Sequence, residues 1–149
     1  MTKPPLLQGD DILTYLPHRP PIVLVDQLME AEADRTVTCL TVAANNPFVE
    51  DGLLLEGGLI EHVAQSSAVG SGYAGARSGE RDPRVGFIGA VTRLRIERHP
   101  VLGEQLETEV ITSLRMENVQ VIHGTVRCHG DVLAEMEMKV FLMESAHAG

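Results

Sequence analysis

Glu61 and Gln65 stand four residues apart in the run GLIEHVAQSSA (58–68). On a helix that spacing puts a carboxyl group and a carboxamide on one face, so Gln65 can hold or polarise Glu61. A lone helix glutamate ordinarily faces water. The company of Glu61 argues otherwise, because Ala64, Ser66, Ser67, Ala68, Gly70, Ser71 and Gly72 let a backbone lie close against its surroundings, as an enclosed helix requires. The imidazoles available for proton transfer are His18, in the proline-rich stretch LPHRPP, and His62. His18 serves equally well as a fixed turn residue, and His62 points away from Glu61 on a helix, which favours a packed or exposed histidine over a catalytic one. His99, His123, His129 and His147 offer no pair at metal-ligand spacing. Neither a metal nor another cofactor is expected.

The elements that would position these groups follow from periodicity. Residues 9–15 form a short helix that begins with Gly9, Asp10 and Asp11, with a carboxylate to cap it, and stops at Leu16-Pro17. Two Val/Ile/Thr-rich strands, 22–31 and 35–44, follow with a turn at Ala33-Asp34. Residues 57–73 are the long helix, opened by Gly57-Gly58, and 74–84 is a polar loop. From Ile88 onward the chain alternates. Ala90, Leu94 and Ile96 oppose Arg93, Arg95 and Glu97, then Leu106, Val110, Leu114 and Met116 oppose Gln105, Glu107, Glu109 and Arg115. Strands 119–128 and 132–143 complete the pattern, with turns at Asn118 and His129-Gly130-Asp131. The expected architecture is α+β, an antiparallel sheet wrapped around one central helix in a single domain, 1–149.

With 149 residues, 44 % apolar and 22 % charged, the chain has the composition of an ordinary globular domain. A net charge of −9 and the absence of Trp exclude a nucleic-acid partner. No apolar run reaches the length of a membrane span and no secretory leader is visible, so a cytoplasmic protein is expected. Cys39 and Cys128 fall in strand-like segments without metal spacing and are expected to be reduced.

The segments LPHRPPIVLVD (16–26), GLIEHVAQSSA (58–68) and IGAVTRLRIERHPVLGEQL (88–106) resemble the hotdog-fold 3-hydroxyacyl-acyl carrier protein dehydratases. NNPFVEDGLLLEGGLIEHVAQ (45–65) is more similar still to dehydratase-like proteins of aryl polyene and flexirubin biosynthesis. The resemblance runs from about Leu13 to Leu142, with its blocks in the family's order. It implies a homodimer whose sheets join edge to edge, two acyl tunnels at the interface, a catalytic carboxylate at Glu61 and a supporting glutamine at Gln65. It also marks a departure: the family's Gly-His-Phe-Pro-Gly loop is here Val49-Glu50-Asp51-Gly52-Leu53, without the histidine that serves as base.

Dehydrating a 3-hydroxyacyl thioester requires a base at the α-carbon, an acid at the β-hydroxyl and donors at the carbonyl. Glu61 suits the acid if burial raises its pKa, His18 is the first choice of base and His62 the second. Amides near Gly57 and Gly58, at a helix N-terminus, suit the oxyanion, although Glu56 stands where relatives carry a glycine. Asp51 and Glu56 fit loop or helix-start roles. Arg93, Arg95 and Arg98 share a strand region whose outer face suits an acidic carrier protein or a CoA phosphate, and suits a plain solvated face as well. Two alternatives stay open. A thioesterase would use Glu61 as base or nucleophile and would need no loop histidine; a non-catalytic acyl-binding or partner subunit would need no base at all.

Overall fold

The computed structural model describes residues 3–79 and 85–143, with the backbone alone at Val85. Residues 80–84 of the expected loop, and His147, lie outside the described residues. Strands β1 (Leu7–Gln8), β2 (Gln27–Ala31), β3 (Arg35–Thr41), β6 (Val85–Ile96), β7 (Gln105–Met116), β8 (Val119–Cys128) and β9 (Asp131–Met143) form one antiparallel sheet in the order β1-β2-β3-β7-β8-β9-β6. A small hairpin of β4 (Val49–Glu50) and β5 (Leu53–Leu54) precedes helix α1 (Glu56–Arg77). The sheet curves around α1, as the alternation requires. Leu106, Val110, Ile122, Val126, Met136 and Met138 turn inward and bury against Leu59 and Val63.

Small residues set the distance between helix and sheet. A Cβ on Gly70 would collide with the Thr36 side chain, and one on Gly124 would come within 2.5 Å of Val63 Cγ1. Glycine removes both obstacles, and the backbones close to a dry contact. At the β8–β9 turn, His129 and Gly130 have φ of 52° and 85°, the left-handed pair of a two-residue hairpin matched to strand twist.

Several boundaries differ from the periodicity. Helix α1 continues through 74–77, where Ala74, Ala76 and Arg77 keep helix propensity, and ends where the Ser78 amide donates to Ala74 and Gly75 carbonyls. The first helix is a 3-10 helix, Gly9–Tyr15, without a side-chain cap, so its carboxylates are not used as expected. The strand expected at 22–31 is regular only from Gln27, because Leu24 bonds to helix side chains instead of a neighbouring strand. Strand β3 stops at Thr41, short of 44. In β7 a bulge between Thr112 and Leu114 reverses the alternation. Leu106 and Val110 are buried, whereas Leu114 and Met116 lie on the outer face, 45 % and 62 % exposed. Bulges at Ile88/Ala90 and Thr92/Arg95 act likewise in β6, turning Ala90 outward beside Lys139 while Leu94 and Ile96 pack on the core.

Candidate active site

The segment 18–24 crosses α1 as a strap held by side chains. Gln65, 1 % exposed, accepts the Leu24 amide at 2.7 Å on Oε1 and donates from Nε2 to the Ile22 carbonyl at 2.8 Å. His62, fully buried, places Nδ1 2.7 Å from the Leu24 carbonyl and Nε2 2.7 Å from Thr108 Oγ1. Only the tautomer protonated on Nδ1 can donate to that carbonyl, with the Thr108 hydroxyl donating to Nε2. The Leu24 peptide groups are thus gripped on both sides by one turn of helix. Ser66 Oγ, bonded to the His62 carbonyl and to Thr38 Oγ1 at 2.7 Å each, extends the network into β3.

The strap delivers His18 to Glu61. His18 Nε2 lies 3.2 Å from Glu61 Oε1, and Gln65 Nε2 donates to the same oxygen at 3.1 Å. Both side chains are about 30 % exposed. Oxygen Oε1 is therefore fixed by two nitrogens, and Oε2 has no partner among the described residues. The His18 Nδ1 atom is buried without a hydrogen-bond partner. A proton there would be an unsatisfied buried donor, whereas a bare lone pair costs less, so the ring holds its proton on Nε2 and donates to Glu61.

Burial pushes the His62 imidazole down to about 4, with the Leu24 carbonyl pulling the other way. His62 is neutral near pH 7 and has no open nitrogen, which rules out the expected second choice of base. At the helix start, the Gly58 amide is committed to the Leu55 carbonyl at 2.9 Å. It is not open for an oxyanion. Gly58 is needed for packing, since a Cβ would come within 2.5 Å of Leu54 Cδ1 and 2.7 Å of Phe48 Cβ. The exposed Gly57 amide makes no backbone hydrogen bond among the described residues.

Arg93 and Arg95 are not brought to this site. By register Arg95 sits on the outer face of the sheet, opposite α1, and the two arginines face Glu137 at 3.5 Å and Glu97 at 3.8 Å. Arg98 is bidentate to Glu104 at 2.8 Å, which holds the Glu104 carboxyl at about 2. Glu104, Cys128 and His129 bring ligand-type atoms within 4.8 Å of one another, yet Arg98 occupies both carboxylate oxygens. That cluster is a staple of the 98–104 turn. A cavity of about 230 Å³ lies behind the strap, lined by Asp10, Asp26, Asn45 and Asn46 among others; Glu61, Gln65 and His18 do not line it.

Sequence reasoning missed the grip on Leu24. Its trace was present as two large polar residues besides Glu61, His62 and Gln65, among the mostly small and apolar residues of 57–76.

The chain matches the model of the ApeP-like family, described as ApeP dehydratase, over residues 10–148. It is 31 % identical to the 3-hydroxyacyl-[acyl-carrier-protein] dehydratase FabZ of Anaeromyxobacter sp. (strain K), over 94 % of this chain and 93 % of that one. With the same enzyme of Aromatoleum aromaticum it shares 30 % identity, covering 87 % and 92 %. Among solved structures it is similar to the dehydratase heterocomplex ApeI:P from Xenorhabdus doucetiae, with a TM-score of 0.84, 25 % identity and 90 % and 91 % coverage. The PaaI protein of E. coli, at TM-score 0.61, 13 % identity and 76 % and 80 % coverage, shares the fold alone. The antiparallel sheet around one helix is the hotdog fold, and the chain belongs to the ApeP-like dehydratase family.

Proposed function

We propose that this protein dehydrates 3-hydroxyacyl groups, carried as thioesters on acyl carrier protein, to 2-enoyl groups in fatty acid or polyene-type biosynthesis, with Glu61 Oε2 as the reacting oxygen. The observation that carries this reading is the asymmetry of the carboxylate: Oε1 is held by His18 and Gln65 while Oε2 has no partner among the described residues. In the reaction Oε2 takes the proton from the α-carbon, and the electron pair moves toward the thioester oxygen, with the Gly57 amide as the donor to it in this scheme. The β-carbon–oxygen bond then breaks. The hydroxyl leaves as water with the proton returned by the Glu61 carboxyl, and the α,β double bond forms. His18, whose nitrogens are committed or buried, is a positioning residue in this scheme.

The acyl chain has a natural place. Ile60 and Ala64 on α1, with Val91 and Leu94 on β6, are half-buried apolar residues packed against the core, and β6 is an edge strand whose outer side is unpaired among the described residues. A second copy paired along β6 would cover these half-buried residues, and the homodimer is proposed on that ground. The relative named as a heterocomplex and the closure of both His18 nitrogens favour a second reading, in which a different hotdog subunit supplies the base.

Supplying 3-hydroxyacyl, 2-enoyl and saturated acyl thioesters to the purified chain separates the possibilities. Enoyl absorbance without thiol release is the expected result. Thiol release from the saturated thioester would establish a thioesterase, and activity that arises only on adding a partner subunit would establish the second reading.

A further inference from the structure

The bulge in β7 has a structural result on the side of the sheet away from Glu61. By register, Met116, Val119, Phe141 and Phe87 form one row across β7, β8, β9 and β6, and Leu114 and Val121 stand in the next. Met143 extends the field along β9. Leu114, Met116, Phe87, Phe141 and Met143 are 43 to 62 % exposed. The Phe141 ring lies over Gly89, where any Cβ would strike it, so the row is ordered by cross-strand packing. Lys139, beside Val121 and Ala90, is the one charged residue placed by register in these two rows.

Half of five large side chains, each on the order of 200 Å², leaves roughly 500 Å² of apolar surface together. That is near the upper end for the largest patch on a typical monomer. It also matches the apolar part of one side of a stable homodimer interface, about 65 % of roughly 800 Å². A membrane is a poor occupant for a chain of net charge −9 whose patch offers a single cation among the described residues of the two rows. The rows contain no carboxylate, so a two-fold copy can meet itself without burying like acidic charges.

We propose that this outer face is a two-fold interface on which a second copy of the chain stacks sheet against sheet. Pairing along β6 lies in the plane of the sheet and would leave this face uncovered. The stacked contact is therefore additional to any edge-paired dimer. It does not depend on the chemistry assigned to Glu61.

The test is the mass of the full chain by sedimentation velocity at micromolar concentration, for the natural sequence and for the double variant Leu114→Glu, Met116→Glu. Both positions lie on β7, separated from β6 by the two strands β8 and β9 in the sheet order, so edge pairing is left alone. The expected result is a variant of half the natural mass, with unchanged far-ultraviolet circular dichroism and unchanged activity per chain. Should the double variant fail to fold, Met116→Lys alone carries the measurement. An unchanged mass, or any ratio other than one half, overturns the proposal.

Discussion

The inner face near Glu61 and the outer end of β6 to β9 are built on opposite principles. Around Glu61 the buried polar atoms are largely paired: Gln65 makes three hydrogen bonds, and both ring nitrogens of His62 are used. On the outer rows hydrogen bonding of side chains is almost absent and large apolar groups stand half in water. Directional bonds in a buried site fix geometry to a few tenths of an ångström and are costly to leave unmade. Apolar contact is non-directional and tolerant. One substituted atom should therefore disable the first region, whereas the second should answer only to wholesale changes of polarity.

The largest effect is expected from Glu61→Gln. The amide preserves shape but cannot take a proton, so kcat should fall about 10²- to 10⁴-fold, with the thermal midpoint nearly unchanged. Retention of full dehydratase activity would remove Glu61 from the chemistry.

Next in size is His62→Leu, which strands the Leu24 carbonyl and the Thr108 hydroxyl. Two buried groups without partners cost on the order of 2 to 4 kcal/mol, measurable by urea unfolding. His62→Asn, whose amide nitrogen can replace Nδ1, should restore about half of that loss. The pH dependence has a defined sign. The folded state holds His62 at about 4 against 6.5 ordinarily, so the unfolded chain binds more protons between those values. Stability from this group is complete above pH 6.5, declines as pH falls toward 4 and then levels off, an amplitude on the order of 3 kcal/mol. In His62→Asn this component of the pH profile should vanish.

His18 separates positioning from proton transfer. A glutamine at 18 can reproduce a donor at the Nε2 position but cannot act as a base. His18→Gln is expected to keep kcat within about threefold of the natural protein, and His18→Ala to lower it roughly tenfold, the worth of one hydrogen bond to a charged group. Equal loss in both variants would make His18 the base.

The same contrast explains what the sequence disclosed. Helix α1 and the inward phase of Leu106, Val110, Ile122 and Val126 were legible because burial imposes period on long elements. Glu61 and Gln65 share a face by spacing alone. The outward turn of Leu114 and Met116 was not legible, because a bulge of one residue at Ser113 leaves no compositional mark yet inverts everything after it. The strap was hidden for a different reason. Ile22 to Val25 have strand-forming side chains, but the partners of Leu24 are side chains from residues 38 and 41 positions away, a tertiary choice that overrides local propensity.

The smallest effect is expected from the double substitution Arg93→Ala, Arg95→Ala, which bears on where an acidic carrier would land. The side chains are 84 % and 71 % exposed, and their partner carboxylates lie at 3.5 and 3.8 Å. Ion pairs that long and that wet contribute little to stability. Arg95 points from the outer face, so it sits across the sheet from the Glu61 carboxylate. The KM for a carrier-bound substrate should stay within about twofold of the natural value at low salt, where any electrostatic attraction is strongest. A rise in KM of tenfold that salt abolishes, with kcat unchanged, would show that the carrier docks on the outer face. The two regions contrasted above would then be joined in one function, the polar side for chemistry and the outer side for delivery.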